Sequence, residues 1–228
     1  TIIDSQGPLT WGRFRIRDFK DYGPELSVTD VIVESSNIGT ARIAMQIGAQ
    51  RQRDFLGSLG FLKATPVEMV EAPTGAPLLP RNWSEISTMT ISYGHGLSTS
   101  PLHLATGYAS LLNGGTEVTP TLLRRENPEP GPRIVSEAVS RRSAAMLRQV
   151  VTRGTASFGE VPGYEVGGKT GTADKPLTRG AGNYDATVNS PWTAVPVAGE
   201  MLRRVAPLLG LRPQVDSSQS IGVTLTSN

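Results

Sequence analysis

The stretch that most constrains this chain is Val166-Gly167-Gly168-Lys169-Thr170-Gly171-Thr172-Ala173. It reads as a short buried strand running into a Lys-Thr-Gly-Thr turn. Its glycines let another backbone, or a substrate's, lie close against it. The lysine stands out against the composition. Of 22 basic residues only Lys20, Lys63, Lys169 and Lys175 are lysines; the rest are arginines. A chain built so heavily on arginine, yet with lysine between glycine and threonine, points to a need for a compact ammonium whose pKa moves on burial. Taken alone, the stretch also fits a glycine-rich turn with a solvated lysine, because motifs this short recur by accident.

The length of 228 residues suits one large domain with a sizeable core. A net charge of +2 gives no field that argues for nucleic acid, and the absence of cysteine excludes a disulfide framework or a thiolate metal site. No apolar run approaches the ~20 residues of a membrane helix, and no signal peptide opens the chain. Residue 1 is therefore expected either to begin inside a domain or to belong to a cytosolic protein.

Along the chain, residues 1 to 25 alternate apolar and polar side chains and predict extended, hairpin-like structure. Ser27, with Asp30 three residues on, predicts a short capped helix leading to Ser35. Ile38, Ala41, Ala44, Met45 and Ile47 follow helical spacing up to Gly48, and a further helix is expected from Gln52 to Leu59. Residues 65 to 82 read as a long loop. Thr88 to Gly96 reads as a short β-branched run that breaks at its glycines. Ser100-Pro101 opens a clear helix, Val118 to Arg125 looks like a strand, and Ser136 opens a helix reaching Gly154. A polar loop is expected after the Lys-Thr-Gly turn, then an amphipathic helix from about Pro196 to Leu209. Residues 214 to 228 read as a loose tail.

Upstream of the lysine motif stands Ser35-Ser36-Asn37. Ser-x-Asn followed by Lys-Thr-Gly makes two of the three signatures of penicillin-binding proteins and serine β-lactamases. The chain resembles a class B penicillin-binding protein of the septal, FtsI-type transpeptidases, in its alphaproteobacterial form. The resemblance extends through Ser35 to Arg42, Thr90 to Leu97, Asn113-Gly114-Gly115 and Trp192 to Pro196. It implies an α/β (α+β) transpeptidase fold, a mostly antiparallel sheet with helices on both faces, incomplete here. It also implies a partial domain over residues 1–213, with 214–228 as a flexible tail.

The implied reaction is D,D-transpeptidation of D-Ala-D-Ala stem peptides through a serine acyl-enzyme, with β-lactams as inhibitors. By this resemblance Ser35 and Lys169 form a proton-relay pair, and Asn37 orients the substrate amide. Thr170, Gly171 and Thr172 belong to the substrate-binding turn, and the Thr172 N–H supplies half of an oxyanion hole. No cofactor, metal or nucleic acid is implied. Peptidoglycan stem peptides, β-lactams and divisome membrane proteins are the expected partners. A membrane anchor is expected upstream, with the domain at the periplasmic face of the inner membrane.

Each residue has a plainer role to set beside this. Ser35 could simply cap the next helix. His95 and His103 read as structural residues, and Asp174 and Lys175 as solvated ones. Two features depart from the family. No serine in the chain has a lysine three residues on, so the nucleophile's Ser-x-x-Lys is expected to precede Thr1. Only Asn183 to Pro191 separates the polar loop from Trp192, so a core strand pair is expected to be missing or not included, leaving an open sheet edge. A non-catalytic module that binds stem peptide or divisome partners is the alternative, and a β-lactamase-like hydrolase a third reading.

Overall fold

The computed structural model describes residues 1–127, 129–176, 184–189 and 194–214. The chain divides into two compact units, Thr1–Leu147 and Arg148–Asn228.

The first unit opens with two antiparallel strand pairs. β1 (Ile2–Asp4) pairs with β4 (Glu25–Ser27), and β2 (Leu9–Trp11) pairs with β3 (Phe14–Ile16) as a hairpin. Ser27 then caps α1 (Val28–Val33) through its side chain, which accepts from the Asp30 N–H. α2 (Asn37–Ile47) ends at Gly48, where φ is 86° and a side chain would be strained. α3 (Ala49–Ser58) follows at once. Ile38 and Ala41 of α2, Ile16 of β3 and Met89 of α4 form the core beneath these elements, with Leu9, Met45, Ile86 and Tyr93 packed against it.

α4 spans Glu85–Ser92 where the sequence suggested a β-branched run. Ser84 caps it by accepting from the Ser87 N–H, and Ile86, Met89 and Tyr93 recur at helical spacing to meet the core. Packing on one face outweighs the strand preference of Thr and Ile. α5 (Pro101–Leu112) begins with a capping box in which Ser100 and His103 satisfy each other's backbone N–H groups. His103 is buried, and its Nε2 donates to the Lys63 carbonyl at 2.8 Å. That bond ties α5 to the loop after α3, a structural task, as expected from the sequence.

The strand expected over Val118 to Arg125 does not form. Its backbone groups are claimed by side chains: Ser110 Oγ accepts from the Val118 N–H at 2.9 Å, and Glu68 accepts from the Leu122 N–H at 3.0 Å. α6 (Glu137–Arg153) closes this unit, started by Ser136, whose Oγ accepts from the Val139 N–H.

The second unit takes up the end of α6, then β5 (Thr172–Pro176), which pairs antiparallel with β6 (Tyr184–Asn189), and α7 (Ala194–Val205). A strand pair thus stands where a polar loop was expected. Residues 177–183 and 190–193, which also bear on that expectation, lie outside the described residues. The buried strand expected from Val166 is likewise displaced: regular strand begins only at Thr172. The Val166 carbonyl instead accepts from the Arg148 guanidinium at 2.9 Å. α7 lies against a 3-10 turn at Ser157–Gly159, where a Cβ on Gly159 would come within 3.0 Å of the Val195 side chain. The expected tail falls, from residue 215 on, outside the described residues.

Candidate active site

The sequence-predicted residues occupy two turns, one in each unit.

Ser35 and Asn37 belong to the turn between α1 and α2. Ser35 has φ 61°, the only positive φ at a non-glycine residue among the described residues. A serine there is strained, and such strain persists only where its surroundings hold it. The holding groups are nearby. The Ser35 N–H donates to the Ile32 carbonyl at 3.3 Å and the Ser36 N–H to Val31 at 3.0 Å. The cap of α2 is Ser36, not Ser35: its buried hydroxyl accepts from the Gly39 N–H at 2.9 Å and donates to Asp18 at 2.7 Å. This leaves the Ser35 hydroxyl out of the capping role. Asn37, the first residue of α2, donates from Nδ2 to the Arg17 carbonyl at 3.0 Å. A carbonyl can only accept, so that bond fixes which way the amide points and keeps Oδ1 as its acceptor.

Lys169, Thr170 and Gly171 form irregular backbone between the end of α6 and β5, and Thr172 is the first residue of β5, paired with Asn189. Lys169 is half-buried, and burial lowers its ammonium from the usual 10.5 to about 8. Its Nζ donates to the Thr170 carbonyl at 3.1 Å and lies 3.4 Å from the Thr170 hydroxyl. The Thr170 hydroxyl is in turn 2.8 Å from the hydroxyl of Thr155, just past α6. Arg148 braces the approach: it pairs in bidentate fashion with Glu160, at 2.6 and 2.9 Å, while holding the Val166 carbonyl. The desolvated amine can exchange a proton near neutral pH, which a fully solvated lysine cannot do.

Four residues that touch these turns were not singled out from the sequence: Arg17, Asp18, Arg148 and Thr155. Thr155 follows Gly154 at a helix end and read only as a terminus. Asp18 lies 18 positions before Ser36, beyond the reach of any local periodicity. Among the described residues no cluster of acids, histidines or cysteines could hold a metal ion, and no helix is long and apolar enough to cross a membrane.

Known proteins share this arrangement of elements. Over 260 aligned residues the chain is 32% identical to the probable peptidoglycan D,D-transpeptidase FtsI of Caulobacter vibrioides, covering 95% of this chain and 44% of that protein. It is 32% identical over 161 residues to peptidoglycan D,D-transpeptidase FtsI of Escherichia coli K12, covering 70% of this chain and 27% of that protein. The chain thus spans less than half the length of these curated relatives. The apo transpeptidase domain of Burkholderia pseudomallei penicillin-binding protein 3 superposes with a TM-score of 0.82 at 29% identity, over 95% of this chain and 74% of that one. The penicillin binding protein transpeptidase domain matches residues 3–197. With sequence, fold and most of its length in agreement, the chain belongs to the penicillin-binding protein transpeptidase family.

Proposed function

We propose that the full protein containing this chain is a peptidoglycan D,D-transpeptidase of septal cell-wall synthesis, open to acylation by β-lactams. The observation that carries this reading is Lys169. In a Lys-Thr-Gly-Thr turn of a transpeptidase-family chain, its amine is desolvated to a pKa of about 8 and anchored beside the Thr170 hydroxyl.

In this reading a serine attacks the carbonyl of the terminal D-Ala-D-Ala bond, D-Ala leaves, and an amine of a neighbouring strand takes the acyl group. A hydroxyl needs a neighbouring base to become nucleophilic. Lys169 and Ser35 serve as the relay that moves protons to and from the reacting groups. Asn37 Oδ1 accepts from the stem peptide's amide, and Thr170 and Thr172 bind the terminal carboxylate, which the β-lactam carboxylate mimics. Gly171 lets the substrate lie close to the backbone. The Thr172 N–H stabilises the developing oxyanion. Residues 1–213 form part of the transpeptidase domain, and 214–228 its tail. The domain works at the periplasmic face of the inner membrane, held by an anchor outside this chain and in company with other division proteins.

The non-catalytic alternative turns on the nucleophile: no serine of these 228 residues has a lysine three positions on. A fluorescent penicillin separates the two. The full-length protein is expected to take a covalent label at a serine outside residues 1–228, while residues 1–228 alone take none. An unlabelled full-length protein supports a binding module. A stoichiometric adduct on Ser35, or on any other serine of this chain, would overturn the proposed roles.

A further inference from the structure

Residues 17 to 22 run across the turn that carries Ser35 and Asn37 and bond it through Arg17, Asp18, Lys20 and Tyr22. The Arg17 carbonyl accepts from Asn37 Nδ2 at 3.0 Å. The two oxygens of Asp18 divide between the Ser36 hydroxyl, at 2.7 Å, and the Ile38 N–H, at 3.0 Å. Lys20 lies 3.7 Å from the Glu34 carboxylate, and the Tyr22 hydroxyl donates to the Glu34 carbonyl at 2.9 Å. Glu34 closes α1 and Ile38 lies in the first turn of α2, so the segment spans both sides of Ser35. Asp18 is its centre, because its carboxylate alone engages both the capping side chain and a free N–H of the helix start.

We propose that Asp18 is a positioning residue for the Ser-x-Asn turn, holding Ser35 in its left-handed backbone and Asn37 in its orientation. The inference rests on the transpeptidase reading and adds to it a residue outside the three motifs. Ser35 sits in a conformation that serine leaves unless opposed. With Asp18 removed, Ser36 keeps the Gly39 N–H but loses its acceptor, and the Ile38 N–H loses its partner. The turn can then relax, and the Ser35 hydroxyl moves with it. A displacement of this kind costs rate in the chemical step more than it costs initial binding.

The test uses the full-length protein, with the acylation step and initial β-lactam binding resolved by stopped flow, well below the unfolding temperature. Asp18→Ala is expected to slow the acylation step at least about tenfold, with a smaller change in initial binding. Asp18→Asn keeps an acceptor for the Ile38 N–H and can donate to Ser36 Oγ, so it is expected to recover most of the rate. Amide hydrogen exchange at Ile38 and Gly39 should rise in Asp18→Ala while the end of α2 stays protected. A variant that unfolds at lower temperature yet acylates at the wild-type rate overturns the proposal, as does Asp18→Asn acting as slowly as Asp18→Ala. A wild-type protein that fails to acylate overturns the proposed function instead. In that case unchanged exchange at Ile38 and Gly39 still overturns the role of Asp18, and raised exchange supports it.

Discussion

The two turns that carry the proposed chemistry are held by different physics. The Ser35 turn is fixed by geometry: a buried cap, a carboxylate across the helix start, and a serine kept at φ 61°. Most of its polar groups have a short, directed partner, and its strain is offset by those bonds. The defining property of the Lys169 turn is electrostatic. Desolvation makes its ammonium less favourable than in water, moving the pKa to about 8. The first turn stores its function in shape, the second in charge. Substitutions in the first should therefore register in stability as well as in rate, and in the second in rate with little loss of stability.

The sharpest test of that division is at the lysine. In the full-length protein Lys169→Ala is expected to slow β-lactam acylation about a hundredfold or more, the usual worth of a positioned acid–base group. Lys169→Arg, which keeps charge but not the deprotonatable amine, is expected to slow it at least about tenfold. Replacing a penalised ammonium by alanine should leave the urea-unfolding midpoint no lower than that of the parent. A large drop in that midpoint would mean the second turn is held by the lysine after all.

Ser36→Ala probes the opposite case. It removes the cap of α2 and strands one Asp18 oxygen, so unfolding free energy should fall by about 2 kcal/mol, a cap plus an unsatisfied carboxylate oxygen. A change below the precision of urea denaturation would show that the cap does not hold the turn.

The lysine also sets a pH signature. Its folded pKa is depressed, so between about 8 and the usual 10.5 the unfolded chain binds the proton that the folded chain has released. The destabilisation is present in full below about pH 8, and stability from this group rises as pH climbs through that window. Comparing wild type with Lys169→Ala by urea denaturation at pH 7.5 and 10 isolates it. The variant should lack this rise.

The smallest effect is expected at Ser35. Glycine accepts φ 61° without strain and alanine does not, so Ser35→Gly should be about 1 kcal/mol more stable than Ser35→Ala. Equal stabilities would mean that the turn relaxes when the hydroxyl is lost.

Much of this was legible where local chemistry decides the structure. Ser27, Ser100 and Ser136 announce their helices because a hydroxyl before an apolar period has one good use. Both motifs could be found because they are contiguous. Legibility fails where distant partners decide. Thr88 to Ile91 become helix because Met89 and Ile86 have a core to reach. Val118 to Leu122 lose a strand to the Ser110 hydroxyl and the Glu68 carboxylate, which no local pattern links to them. Asp18 was invisible for the same reason: its partners lie 18 and 20 positions away.

Gly39 carries a consequence for how such a chain can drift. A methyl group at this position would sit 2.6 Å from Cγ2 of Val31 and 3.2 Å from the Ser36 hydroxyl. The space that lets α2 lie against α1 is thus one hydrogen atom wide. Mutation could keep every polar group of the Ser35 turn and still wedge its two helices apart with a single carbon. The polar groups proposed to act in this half of the molecule keep their places only while an uncharged, chemically silent position stays empty.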